Sequence, residues 1–425
     1  MKFIATSDWH IGNMFHGNDR LPEHRHFLDW LISQIAAHKP DALLVAGDVF
    51  DYANPSAAAQ ETYYKFLDDA THAHPDMKIL ITAGNHDSAY RLEAPRALLT
   101  RHNIEVRGAV HRRWGAPEDG GGWEVEYDDL IVPVENGDRE RAVVLAVPYL
   151  RNDIVQETNY SAGVNRFIRE LTRRAREKYP DTPLVMMAHM YAKGADIAQN
   201  DASEKIVIGG QEEVNMEGWA EHPDYMTCGH IHKRQHIWNT DWARYSGSIL
   251  PMSFAETDYR HGVDLVTVVA GKKPKVEFLE YHPQHKLCII PGNDEALSAD
   301  ELAELMKEQL ENRKNGSKPG DDFVYLMLKV RMERPNNDDI QKLEAIAAKK
   351  NAVLCKIQKV IPTIDLNTIA GNEKITTIDD IINRDPFDTL KETFKIQNNR
   401  EMSEKQERMV ADLLESIKKQ EGEES

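Results

Sequence analysis

The chain has 425 residues, of which 29% are charged, with a formal net charge of -18 and a mean hydropathy of -0.57. It contains no apolar run of the ~18 residues a membrane span needs. Its three scattered cysteines, Cys228, Cys288 and Cys355, offer neither a disulfide framework nor a CxxC metal site, so any bound metal must be held by His, Asp, Glu or Asn. The acidity speaks against nucleic-acid binding without excluding it, because bound divalent cations reverse the field locally. The N-terminus enters "MKFIATSD" with no basic n-region or long apolar h-region, which predicts a cytoplasmic protein with no membrane association.

In chain order, short apolar runs predict strands over residues 3–6, 42–46, 78–82, 143–147, 184–188, 225–228 and 263–269. Amphipathic helices separate the first three. One carries Phe27, Leu28, Leu31 and Ile35 on one side; another opens in "NPSAAAQETYYKFL", with Asn54 as cap and Pro55 at the first helical position. This alternation predicts an α/β fold of two packed mixed sheets flanked by helices, over residues 1–282. From residue 283 to 361 the order changes. "KLCII", "FVYLMLKVRM" and "AVLCKIQKV" read as strands. "SADELAELMKEQL", with Ser298 and Glu301 in capping-box spacing, and "DDIQKLEAIAAKK" read as helices of a small α+β domain. Residues 362–376 read as a linker and 377–425 as a helical tail. Its apolar positions, among them Ile378, Ile382, Leu390, Phe394, Met409 and Leu413, either fold back on the body or form a stripe for a partner protein.

The strand ends carry the chemistry. "FIATSDWH" ends with Asp8 and His10, "LLVAGDVFD" with Asp48 and Asp51, "LITAGNHD" with Asn85, His86 and Asp87, "LVMMAHM" with His189, and "YMTCGHIH" with His230 and His232. In α/β sheets, ligands bind beyond the C-terminal ends of strands. Five strands ending alike argue against incidental structural histidines. Two divalent cations ~3.5–4 Å apart need a shared carboxylate, and Asp48 is the choice. Asp8, His10 and His232 complete one ion's shell, and Asn85, His189 and His230 the other's. A shell of imidazole and oxygen without thiolate suits Mn²⁺, with Fe²⁺ or Zn²⁺ as competitors. Such a pair polarises a phosphoryl oxygen and activates water, so the predicted reaction is phosphoester hydrolysis. His86 is then spare, and is predicted to protonate the leaving oxygen. Asp51 is predicted to accept a hydrogen bond from it, with Asp87 as the rival for that role.

The blocks D-x-H, GD-x-x-D, GNHD, a lone histidine and GH-x-H, in that order, resemble the calcineurin-like metallophosphoesterases. "TSDWHIG", "VAGDVFD", "AGNHDS", "GHIH" and "YSGSILPMSF" are similar to the SbcD family of bacterial nucleases. The resemblance implies the same seven metal ligands, Asp8, His10, Asp48, Asn85, His189, His230 and His232, usually for Mn²⁺, with His86 as catalytic histidine. It implies a homodimer that cleaves DNA as exonuclease and endonuclease in repair and recombination. The small domain would be a capping domain shaping DNA access. The tail would grip the coiled-coil base of an SbcC-type ATPase, since no GxxxxGK[ST] occurs here. Archaeal and eukaryotic relatives carry a histidine where this chain has Asp51, which puts more weight on an Asp51–His86 pair. A small-molecule phosphoesterase and a metal-free scaffold are the rival functions.

Weaker signals remain. Arg166, Arg169, Arg173, Arg174 and Arg176 read as a solvated helix face rather than a DNA contact. Arg107, Arg112 and Arg113 are candidate phosphate contacts. "DGGGW" reads as a loop and Cys228 as a small buried hydrophobe.

Overall fold

A computed structural model describes residues 1–114, 123–138, 140–155, 159–196, 213–216, 219, 222–238, 240–293, 295–311, 323–331 and 337–360, with scattered positions between 387 and 410. Two six-stranded sheets dominate it. The first runs Lys275–Tyr281, His261–Thr267, Lys2–Thr6, Ala42–Ala46, Lys78–Thr82 and Ile104–Arg107. Its last four strands are parallel, and the other two pair antiparallel. The second runs Gln235–His236, Ala243–Tyr245, Tyr225–Gly229, Leu184–His189, Arg141–Ala146 and Ile131–Glu135, parallel through its four central strands.

Strand alternation explains the layering. Phe3, Ala5, Leu44, Ala46 and Leu80 point inward and meet Val132, Val144, Val185, Met187 and Tyr225 of the second sheet. Their neighbours Ile4, Leu43, Val45, Ile79 and Ile81 point outward, beneath helices Leu21–His38 and Ala57–Ala73. Helix Tyr160–Lys178 covers the second sheet's outer face with Val164, Phe167, Ile168 and Leu171. The helix expected to start at Pro55 begins two residues later. Ser56 is its cap, accepting a hydrogen bond from the Ala59 amide at 3.2 Å; its short hydroxyl sits one residue before the first turn, a place Asn54 is too far back to take.

A separate three-stranded sheet joins Lys286–Ile290, Val324–Arg331 and Ala352–Val360, beside helices Ala299–Gln309 and Asn337–Lys349. The Ser298–Glu301 capping box forms. This sheet packs with the sandwich as one compact unit. Tyr325 and Met327 touch Phe15 and Phe254, and the Tyr325 hydroxyl donates to Glu23 at 2.8 Å. The second unit comprises 331–336 and 359–425. Its described residues include helical positions at Phe387, Lys391 and Phe394, and a Lys391–Glu407 ion pair of 2.6 Å. The expected linker 362–376 and most of the tail 377–425 lie outside the described residues. Among the described residues no helix is long and apolar enough to cross a membrane.

Candidate metal centre

Three adjacent parallel strands of the first sheet, ending at Thr6, Ala46 and Thr82, and two of the second, ending at His189 and Gly229, release their C-terminal loops at one edge of the sandwich. The loops zip together there. The Asp8 amide donates to Gly47 O at 3.1 Å, His10 to Asp48 O at 3.0 Å, and Ile11 to Val49 O at 2.9 Å. Asp8, His10 and Asp48 sit at φ of 50°, 46° and 48°, and His230 at 101°. Left-handed backbone costs roughly 1–2 kcal/mol per non-glycine residue, and such strain concentrates at functional sites.

The side chains converge. One ligand atom each from Asp8, His10 and His232 fall within 4.8 Å of one another, as do those of Asp8, Asp48 and His189. Asp48 Oδ2 lies 3.3 Å from His189 Nε2 and 3.7 Å from His10 Nε2, so its carboxylate stands between the two groups. Asn85 Oδ1 is 3.0 Å from both His189 Nε2 and His230 Nδ1. The chain thus brings all seven proposed ligands together.

Their supports are backbone groups and carboxylates. Asp8 accepts from the His230 amide at 2.9 Å and from Ser7 Oγ at 2.6 Å. Asp48 Oδ1 accepts from the His86 amide at 2.9 Å. His189 Nδ1 donates to Ala46 O at 3.0 Å, which turns Nε2 toward the centre. The glycines of "AGD" and "AGN" are needed for closeness: a Cβ on Gly47 would sit 2.2 Å from His189 Nδ1, and one on Gly84 2.0 Å from Asp48 Oδ1.

The donor set fits cations. Both ring nitrogens of His10 are buried without a hydrogen bond among the described residues, and Nδ1, 3.2 Å from Asp51 Oδ1, is not aligned for one. Buried orphaned polar atoms are costly unless something binds them. Protons balance the carboxylates in the protein alone. Burial opposes charge on His189, but Asp48 and Asp8 outweigh it and push its pKa up to about 9. Burial, joined by the charge on His189, pulls His230 down to about 3. Burial works against Asp48 too, yet His189, His10 and His86 hold its carboxyl far below the usual range. Cations would take over this balance and displace the proton.

His86 lies on the exposed rim, its ring 4.9 Å from that of His10. The partner expected for it is corrected in one respect. Its Nδ1 donates to the backbone carbonyl of Asp51 at 3.0 Å, not to the carboxylate. The Asp51 carboxylate faces His10 instead and accepts from Asn13 Nδ2 at 3.1 Å. Asp87 does not reach His86 by any hydrogen bond among the described residues. It braces the loops, accepting from the amides of Gly84, Val49 and Phe50 at 2.9–3.1 Å. Sequence reasoning missed Glu256, whose Oε1 is 3.0 Å from His232 Nδ1. A lone glutamate in a one-turn helix 24 residues downstream gives no periodic signal.

The arginines divide. Arg107 is buried, and it donates to Asp129 O and to Glu105 at 2.9 Å, so it is not a phosphate contact. Arg112 donates to Asp153 O, and Arg113 is exposed beside Glu124. Arg173 and Arg174 pair with Glu170, and Arg176 with Asp224, as a solvated helix face would. A cluster of Glu93, His111 and Asp129 is already crossed by Arg96, which binds both carboxylates. Cys228 is fully buried. Residues 119–122 of "DGGGW" lie outside the described residues.

A family model for the calcineurin-like phosphoesterases matches residues 1–234. The chain is 33% identical to the SbcD component of the SbcCD nuclease of Rhodobacter capsulatus over 356 residues, covering 81% of this chain and 84% of that one. It is 28% identical to the Escherichia coli protein of the same name over 361 residues, 81% and 82% of the two chains. The Bacillus subtilis protein is 29% identical over 284 residues, 64% and 68%. With its five strand-end loops closing on one cage, the chain belongs to the calcineurin-like phosphoesterase family, and within it to the SbcD nucleases.

Proposed function

We propose that the protein is a Mn²⁺-dependent DNA nuclease, acting as double-strand exonuclease and as single-strand and hairpin endonuclease, in the cytoplasm, beside an SbcC-type ATPase. The observation that carries this reading is the convergence of Asp8, His10, Asp48, Asn85, His189, His230 and His232 at one sheet edge. When bound, a pair of divalent cations would polarise a phosphoryl oxygen and supply an activated water. Asp8, His10 and His232 would hold one cation and Asn85, His189 and His230 the other, with Asp48 shared. Asp48 is suited to sharing because its carboxylate stands between the two groups.

His86 has a separate task. Because its Nδ1–H is committed to the Asp51 carbonyl, the proton it exchanges is the one on Nε2. From the exposed rim, that proton can pass to the oxygen leaving the scissile phosphorus. The strained loops hold the ligands in place before substrate arrives, so little reorganisation remains for the reaction.

The partners follow from the same reading: DNA as substrate, a second copy of the chain as homodimer, and the ATPase held by residues 377–425. The test is cleavage by purified protein with Mn²⁺ of single-stranded and hairpin DNA, against a generic phosphodiester. Cleavage of DNA that disappears with chelator supports the reading. Hydrolysis of the small ester alone would replace it with a small-molecule phosphoesterase.

A further inference from the structure

The one-turn helix Phe254–Glu256 follows the metal-centre loops and ends in a carboxylate that is fully buried. Its two oxygens do different things. Oε2 accepts from the Met252 amide at 2.7 Å, which ties the carboxylate to its own loop. Oε1 lies 3.0 Å from His232 Nδ1. A carboxylate can only accept, so the imidazole must carry its proton on Nδ1. Nε2 then keeps its lone pair, and His232 shares a ligand cluster with Asp8 and His10. A backbone carbonyl serves His189 in the same way.

We propose that Glu256 is the positioning residue for His232: it selects the Nδ1–H tautomer, aims Nε2 at the cation shared with Asp8 and His10, and thereby sets the affinity of that one cation position. The proposal rests on His232 being a metal ligand. Glu256 itself falls in none of the ligand clusters among the described residues.

The turn that carries Glu256 is anchored from two sides. Ser253 Oγ accepts from the Ala255 amide at 3.1 Å. The Phe254 ring lies 5.3 Å from Phe15 and packs with Tyr325 and Met327 of the three-stranded sheet. Just upstream, the Pro251 carbonyl accepts from buried Arg20, which Glu23 grips through both carboxylate oxygens at 2.9 and 3.0 Å. Tyr325 donates to Glu23 in turn. The three-stranded sheet therefore supports the turn that holds His232.

The test has two readouts besides turnover. In metal-free protein labelled with ¹⁵N-histidine, the ring shifts of His232 report its tautomer; wild type is expected as Nδ1–H, and an Nε2–H wild type would overturn the proposal outright. Calorimetric titration with Mn²⁺ alone then follows the two binding steps. Glu256→Ala is expected to lose the tautomer preference and to weaken one step by about 10- to 100-fold, with the other step within twofold. Glu256→Gln keeps an acceptor oxygen and is expected to recover part of that loss. Wild-type affinity at both steps in Glu256→Ala, even with reduced thermal stability, would make Glu256 a loop brace and end the proposal. His232→Ala separates the two layers. If it too leaves both steps unchanged, His232 is not a ligand and the metal assignment itself fails.

Discussion

Substituting Gly84 with alanine adds one methyl group at the point where the first sheet's third loop presses on Asp48. The ideal Cβ would lie 2.0 Å from Asp48 Oδ1 and 2.3 Å from the Asp48 backbone nitrogen. Carbon needs about 3.5 Å from such atoms, so the overlap is on the order of 1.5 Å. A rotamer change cannot relieve it, because one of the atoms struck is backbone. Either the Asp48 loop or the Asn85 loop must move by roughly 1 Å. Overpacking of this kind costs about 1–3 kcal/mol of stability. A 1 Å misplacement in a catalytic arrangement can cost about 100-fold in rate. Gly137→Ala is the control, since nothing lies within 4 Å of its Cβ. Mn²⁺-dependent cleavage of a labelled hairpin oligonucleotide, measured beside thermal unfolding, gives both numbers. Gly84→Ala should lose about two orders of magnitude in rate and Gly137→Ala nothing. A Gly84→Ala protein with wild-type rate and wild-type Mn²⁺ affinity would refute the claim that Asp48 is held by this contact.

Other substitutions separate the roles. His86→Ala should bind both cations with wild-type affinity in a Mn²⁺ titration and lose about 10²- to 10⁴-fold in turnover; loss of a cation would mean the ring is a ligand. Glu23→Ala leaves the fully buried Arg20 uncompensated and should cost about 3–5 kcal/mol in denaturant unfolding. Tyr325→Phe, which leaves both Arg20 bonds to Glu23 in place, should cost only about 1 kcal/mol. Burial raises the pKa of Glu23, but Arg20 and Tyr325 outweigh it and hold it below the ordinary value. The stability it contributes is therefore present above the unfolded value of about 4.3 and is lost as pH falls through the lower folded value, so acid unfolding of Glu23→Gln should be less steep in that window. Deleting residues 377–425 should abolish capture by the ATPase in a pull-down and leave intrinsic Mn²⁺-dependent cleavage; unchanged capture would move the docking surface elsewhere.

The sandwich is legible because the chain writes it in short apolar runs that end at small or polar residues. Strands 42–46 and 78–82 fall to the residue where the sequence predicts them, since a strand buried on both faces leaves a continuous apolar signal, here Ala42–Ala46 and Ile79–Ile81. The ligand types at the strand ends are legible for the same reason: a polar cluster directly after a buried run has one place to go. Finer contacts are not. Sequence cannot say whether Asp51 meets His86 through its carboxylate or its carbonyl, because both belong to one residue and the loop's path chooses between them. Asn54 and Ser56 are both good caps, and only the first helical turn decides between them. Arg107 reads like Arg112 and Arg113, but its position on an edge strand beside Asp129 buries it. Glu256 acts across 24 residues of chain, beyond any local pattern.

Crystals grown with Mn²⁺ and measured at an energy that excites its anomalous scattering test the central claim most directly. Two anomalous peaks are predicted in the cage, one against Asp8, His10 and His232, the other against Asn85, His189 and His230, with Asp48 touching both. A single peak, or two that leave Asp48 unshared, would contradict the binuclear centre on which the proposed chemistry rests.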